Sequence, residues 1–178
     1  MTVLVGYATA RGSTRGVAER IAAQLECAGE QVDVQPLSDI TSVREYETFV
    51  VGSAIHSGQW LPEAAAAIGR LRPQLAGRAL WAYSVSSVGA TSTILSNRVA
   101  SYLRRVTPEP RVVQHLREAA DVRGHRFFAG AIGRGDWPGF GRVLFRLMGG
   151  HYGDARDWAD IDQWAESIHH RDAQVRGE

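Results

Sequence analysis

The stretch Thr2–Thr14, TVLVGYATARGST, decides the fold. Its opening run, Thr2–Ala8, is apolar almost without interruption. A strand with one wet face alternates apolar and polar residues, so a continuous run marks a central parallel strand covered on both faces. The next residues, Thr9-Ala10-Arg11-Gly12-Ser13-Thr14, are small and hydroxylated. They open a segment, Thr14–Ala28, in which Val17, Ala18, Ile21, Ala22 and Leu25 share one helical stripe before Gly29 supplies a stop. A buried strand, a short polar turn and an amphipathic helix together begin a βαβ unit.

The same alternation continues. Gln31–Pro36 reads as a shorter second strand and Thr48–Ala54 (TFVVGSA) as a buried third. A helix opens at Leu61-Pro62, with Pro at a favoured first-turn position, and turns Ala65, Ile68 and Leu71 inward. Ala79–Val85 is the fourth strand, followed by a helix carrying Ile94, Leu95, Val99, Tyr102, Leu103 and Val106. Arg126–Ile132 is the fifth strand. The last helix, near Asp160–His170, aligns Ile161, Trp164, Ala165 and Ile168. Five strands alternating with helices predict an α/β fold, a doubly wound parallel sheet. Residues 1–178 form one domain, with an insert over 133–158 between the fifth strand and the last helix. The insert is longer than a plain connection needs and carries its own helix, Gly139–Met148. Phe140, Val143, Leu144, Leu147 and Met148 are its apolar residues; Arg142 and Arg146 are polar.

Composition narrows the chemistry. All 20 basic residues are arginine. With no lysine there is no P-loop lysine, no Schiff base and no lysine nucleophile. A single cysteine, Cys27, excludes an internal disulfide, and it is expected to be a buried thiol. A net charge of +1 signals neither a nucleic-acid binder nor an acidic carrier. Arginines gather from Arg98 to Arg126, and a solvated face is the plain reading of such a run. No apolar run approaches the ~18 residues that span a bilayer, and the N-terminus lacks the features of a secretory signal, so a cytoplasmic location is expected. His115, His125 and His151 show no metal-ligand spacing, and no metal is expected. His169 and His170 read as solvated. A serine hydrolase is excluded by the absence of G-x-S-x-G.

In open parallel sheets ligands sit beyond the carboxyl ends of the strands, at the switch point of the winding. The loop after the first strand offers hydroxyls at Thr9, Ser13 and Thr14 and amides from Arg11 to Thr14. Together with the helix dipole these can hold a phosphate dianion without lysine. Gly12 allows the backbone to approach it. A dinucleotide fingerprint needs three glycines here, so a mononucleotide fits better. Taken alone, such a turn also serves as a plain capped helix start. The loops after the third strand (Ser53-Ala54-Ile55-His56-Ser57-Gly58-Gln59-Trp60) and the fourth (Ser86-Ser87-Val88-Gly89-Ala90-Thr91) are small and polar enough to clamp a flat ring.

These three loops resemble those of the flavodoxin superfamily, whose first loop reads T-x-T-G-x-T; here Arg11 stands at the third position. Within it the chain is most similar to the menaquinone-dependent protoporphyrinogen dehydrogenase group. The likeness rests on Gly52-Ser53-Ala54-Ile55-His56-Ser57-Gly58, on Tyr83-Ser84-Val85 and on an insert ending at Gly149-Gly150. It implies strand order 2-1-3-4-5 and an FMN cofactor. Thr9, Arg11, Gly12, Ser13 and Thr14 would hold the phosphate. Ser53, Ala54, Ile55, His56 and Gly58 would line one side of the isoalloxazine, and Ser86, Ser87, Val88 and Gly89 the other.

His56 falls where a side chain meets the ring and is the candidate proton donor or relay, with a packed or solvated loop histidine as its plain alternative. Trp60, Trp137, Tyr152 and Trp158 sit in or beside loops; core or hinge packing is the plain reading, with Trp60 and Trp137 the candidates for a lid over flavin and substrate. Two functions follow. One is an FMN-dependent oxidoreductase passing electrons between a small organic substrate, porphyrinogen-like or other, and a quinone-like acceptor. The other is a flavodoxin-type electron carrier serving a reductase and an acceptor protein. Carriers present acidic faces, whereas this chain has a pI near 8.0, which favours the enzyme. The arginine-bearing insert helix, with Phe140, Leu144 and Leu147, reads first as a helix that closes the core, with peripheral contact at the inner face of the membrane as the alternative.

Overall fold

The computed structural model describes residues 2–133, 136 and 140–177. Its long strands are β1 (Thr2–Ala8), β2 (Gln31–Pro36), β3 (Thr48–His56), β5 (Ala79–Ser86) and β6 (Asp121–Ala129), with a two-residue β4 (Gln59–Trp60). They form a sheet in the order β2-β1-β3-β5-β6, parallel throughout, with β4 folded back antiparallel on β3. This is the doubly wound, flavodoxin-like order expected. Between the strands run α1 (Ser13–Cys27), α2 (Pro62–Leu75), α3 (Asn97–Val106) and α4 (Arg111–Ala119). After them come the ribbon β7 (Ala131–Ile132) with β8 (Gly153–Asp154), α5 (Phe140–Leu147) and α6 (Trp158–Gly177).

Each sheet face has its own core. On one, Val17, Ile21 and Leu25 of α1 and Ile161, Trp164 and Ile168 of α6 cover Val3, Val5, Val50, Trp81 and Tyr83. On the other, Ala64, Ile68 and Leu71 of α2 and Val113 and Leu116 of α4 cover Leu4, Phe49, Val51, Leu80 and Ala82. Burial of the central strands on both faces is what their uninterrupted apolar runs require. Trp164 packs edge-on against Trp81, Tyr83 and Phe128 at 5.5–6.2 Å between ring centroids. Such pairs add about 0.5–1.5 kcal/mol each beyond the area they bury. Gly52 sits opposite Tyr83, and a Cβ there would lie 2.3 Å from the Tyr83 ring. That glycine therefore serves core packing.

Several expectations change. The fifth long strand spans Asp121–Ala129 rather than Arg126–Ile132, because the chain breaks at Gly130 and residues 131–132 pair with β8 instead. Its register shifts opposite Leu80 and Trp81, so alternation does not run unbroken along it. Ile94 and Leu95 are buried in the loop before α3, not in the helix. Helix α4, unforeseen, carries Val113 and Leu116 inward. Cys27 is exposed, since it falls on the outer side of the last turn of α1. His169 is half-buried, its Nδ1 2.7 Å from Glu30 Oε1. Trp137, Gly139 and the Phe140 side chain lie outside the described residues. Among the described residues no helix is long and apolar enough to cross a membrane, and no group of side chains is arranged to hold a metal.

Candidate functional site

A cavity of about 960 Å³ opens at the carboxyl ends of the strands. Every residue expected at a cofactor site lines it except Gly12 and Ser53. Gly12 shapes the first turn from behind, at φ +85°, a left-handed conformation that favours glycine. Ser53 is fully buried below the loop; its hydroxyl donates to the Ala54 carbonyl at 2.9 Å and accepts the Leu61 amide at 3.1 Å. Its role is to fasten β3 to the start of α2.

The first turn forms a cradle. Thr9 Oγ1 accepts the Gly12 amide at 2.9 Å and Ser13 Oγ accepts the Ala131 amide at 2.9 Å, so each hydroxyl keeps its own proton to donate. The Gly16 amide donates to the Gly12 carbonyl at 3.1 Å, and the amides of Ser13, Thr14 and Arg15 come before it at the helix start, where an anion can accept them. Thr14 is fully buried, and its Oγ1 has no hydrogen-bond partner among the described residues. A buried hydroxyl without a partner costs about 1–3 kcal/mol. Arg11 forms an ion pair with Asp136 across the mouth. The Asp136 carboxylate is held below its ordinary value by the Gly133 amide at 2.6 Å and then by Arg11. Arg11 thus brings no net charge to the cradle.

The loops after β3 and β5 are each closed by their own turn and hydrogen bonds. Ser57 (φ +50°) and Gly58 (φ +77°) make the two-residue turn between β3 and β4, which places His56 exposed at the cavity rim. Trp60 then turns down into the core at 3% exposure, its Nε1–H donating to Ser84 Oγ at 2.8 Å. It is not a lid, because the short β4 reverses the side on which it emerges. In the second loop the Ser86 hydroxyl is closed on Val88, donating to its carbonyl at 2.8 Å and accepting its amide at 3.1 Å. Gly89 is required: a Cβ would lie 2.3 Å from the Ala129 amide nitrogen.

The cavity also reaches residues that sequence reasoning missed. His125 and Phe127 of β6 line it with Leu103, Arg104 and Thr107 from the end of α3. The two rings pack against each other at 4.7 Å between centroids, tilted by 59°. The His125 side chain is 4% exposed, with Nδ1 3.0 Å from Glu109 Oε1 and Nε2 2.9 Å from Ser84 Oγ. Arg117, bonded through two nitrogens at 2.9 and 3.0 Å, holds the Glu109 carboxyl below its ordinary value, and His125 assists. An ionised Glu109 assigns the imidazole proton to Nδ1; Ser84 then donates its own proton to Nε2. Burial pushes His125 below its ordinary value, so the ring is neutral. The order Ser84–His125–Glu109 looks like a nucleophile triad, but Ser84 is fully buried and no acyl group can reach it.

Comparison with known proteins supplies the family. Residues 4–147 match the flavodoxin domain model, and the chain belongs to that family. FMN is the cofactor, and the residues present fit it: the orphaned Thr14 hydroxyl and the free first-turn amides are donors awaiting an anion. A short-chain flavodoxin associated with a non-canonical PDU bacterial microcompartment superposes with TM-score 0.61 at 13% identity, covering 96% of this chain and 98% of that one. The C101S mutant of flavodoxin from Pseudomonas aeruginosa superposes with TM-score 0.57 at 13% identity, covering 95% and 99%. The flavodiiron protein from Giardia intestinalis superposes with TM-score 0.51 at 17% identity over 96% of this chain, which spans only 37% of that protein's length. These likenesses are of fold. No curated protein matches the chain.

Proposed function

We propose that the protein is an FMN-dependent oxidoreductase that passes electrons between a small organic substrate and a quinone-like acceptor. The observation that carries this reading is the cavity. Its 960 Å³ lies at the upper end of the roughly 300–1,000 Å³ of small-molecule sites, and part of its wall, Leu103 and Phe127, is built from an edge strand and helix outside the three loops assigned to the cofactor. Bound FMN supplies hydride and single-electron transfer at its ring. The cradle from Thr9 to Thr14 binds and orients the phosphate end. Ile55, Val88 and Ile94 keep water from the ring, and His56 at the rim is the group placed to hand a proton between solvent and the reacting ligand. A porphyrinogen-like substrate is the one implied by the sequence resemblance.

A carrier role is the second reading, favoured by the end-to-end match to short flavodoxins. The test is direct. FMN-loaded protein, chemically reduced without oxygen, is mixed with menadione. Saturable reoxidation at micromolar acceptor supports the enzyme; reoxidation only through a partner protein refutes it. Peripheral membrane contact belongs to the same proposal. On α5, Val143, Leu144 and Leu147 are 53%, 44% and 79% exposed, beside Arg142 and Arg146. Co-sedimentation with vesicles containing an anionic lipid, lost in Leu147→Glu, is the expected outcome.

A further inference from the structure

The cavity is lined by arginines with different fates. Arg11 is neutralised by Asp136, and Arg126 is paired with Asp160 of α6. Arg104 has no acidic partner among the described residues. Its Nε donates to the Gly89 carbonyl at 2.8 Å and one terminal nitrogen to the Ser92 carbonyl at 3.2 Å. Two backbone tethers fix the guanidinium without cancelling its charge, and its other terminal nitrogen has no partner among the described residues. Beside it lie the mutually tilted rings of His125 and Phe127 and the half-buried Leu103. The imidazole offers no hydrogen bond, because Glu109 and Ser84 occupy both of its nitrogens. Neutral and held in place, it backs the Phe127 ring, which faces the cavity.

This end of the cavity is separate from the phosphate cradle. His125 meets Ser84 and Trp60 on the α2/α4 side of the sheet, whereas the cradle begins α1 on the opposite side. We propose that Leu103, Arg104, His125 and Phe127 form a subsite for a second organic ligand, a flat aromatic compound bearing an anionic substituent. The ligand's ring would lie against Phe127 and Leu103, with His125 fixing the Phe127 ring from behind, and its anion on Arg104. A neutral ring lacks the second contact, and an aliphatic acid lacks the first. The inference rests on the reading of the protein as an enzyme with a diffusible partner molecule. It specifies that partner's chemistry.

The test uses redox-inert probes on FMN-loaded protein, so it does not depend on turnover. Binding of 2-naphthoate, 2-naphthamide and cyclohexanecarboxylate is measured by calorimetry and by perturbation of flavin absorbance, with FMN retention checked separately. Naphthoate is expected to bind at least about tenfold more tightly than either comparison, the size of one charge-assisted hydrogen bond. Arg104→Gln is expected to remove the preference over naphthamide, and Arg104→Lys to retain part of it. Phe127→Ala is expected to weaken naphthoate and naphthamide alike. Equal binding of all three probes, naphthoate binding unchanged in both Arg104 variants, or displacement of naphthoate by FMN would each overturn the subsite. Naphthoate binding in a protein that fails to reduce menadione would uphold the subsite while refuting the proposed electron acceptor.

Discussion

Replacing Thr14 by Val separates what the cradle does empty from what it does filled. The Thr14 side chain is fully buried and its hydroxyl unpartnered, so the FMN-free fold carries a desolvated donor with nothing to bond. Valine keeps the shape and removes that penalty. The variant should therefore be more stable without cofactor, by about 1 kcal/mol out of the roughly 1–3 kcal/mol such a group costs. With urea slopes of about 1–3 kcal/mol per molar, the unfolding midpoint should rise by about 0.5 M. In the FMN complex the sign reverses. A hydroxyl bonded to a phosphate is worth about 1.5–3 kcal/mol, so FMN should bind about ten- to a hundredfold more weakly. Urea unfolding of FMN-free protein and quenching of FMN fluorescence measure the two effects, and Thr14→Ser should change neither greatly. A valine variant that is less stable alone and binds FMN normally would refute the reasoning, because it would mean the hydroxyl already has a partner and the phosphate lies elsewhere.

Removing Arg11 by Arg11→Ala leaves the Asp136 carboxylate unpaired at the cradle mouth. FMN affinity should fall severalfold, less so at high salt, while Asp136→Asn should raise it; titration at two ionic strengths tests both directions. Gly89→Ala forces a Cβ against the backbone of Phe128 and Ala129, which cannot yield as a side chain does. A stability loss of about 2 kcal/mol or more, read by urea unfolding, should come with weaker FMN binding. Acid should destabilise the fold in two stages. The buried His125 ring takes a proton less readily than its ordinary 6.5, so below about that pH the unfolded chain binds more protons and stability declines as pH falls. Glu109, held under its ordinary 4.5, adds a decline of the same sign at lower pH. His125→Phe should flatten the first stage; an unchanged stability profile between pH 5 and 7 would contradict the neutral-ring assignment.

The parts of this architecture that could be read from the sequence are those governed by local rules. Thr2–Ala8 and Ala79–Val85 are buried on both faces, and an unbroken apolar run is the local sign of that. The cradle was legible for the same reason: its hydroxyls and Gly12 lie within a few consecutive residues of a strand end. The rest depends on partners distant in sequence. Strict alternation from Val122, which packs on the α2/α4 side, would send His125 to the α1/α6 side. The register shift opposite Leu80 and Trp81 puts Arg123 on Asp172 and Gly124 against the Trp81 ring, and turns His125 towards Ser84. No pattern within Asp121–Ala129 announces that shift; it is set by the neighbouring strand. For Trp60 the plain reading of core packing holds and the lid alternative does not, a choice made by the two-residue β4 rather than by any local pattern. Ser53 was read as a ring contact because its loop was, yet pairing extends β3 past it and leaves its hydroxyl under the loop.

That register shift also bears on why a histidine sits at position 125. A purely structural role would be served as well by an apolar residue of similar volume, because a buried polar network seldom adds stability over well-packed hydrophobic groups. The network here is nevertheless complete. Glu109 holds Nδ1, Ser84 holds Nε2, Trp60 holds Ser84, and Arg117 holds Glu109. Each member fixes the next, so the imidazole cannot rotate or take up a proton without breaking a buried bond. Edge strand β6 is where such a wall is affordable: a central strand is packed on both faces, whereas the residues of β6 from Val122 to Phe127 are only half-buried. The sheet edge therefore contributes a neutral aromatic wall, and the tethered Arg104 contributes a charge that has no acidic partner among the described residues. Under the proposed small-ligand site, the Glu109–His125–Ser84 network is what keeps that aromatic wall in one position.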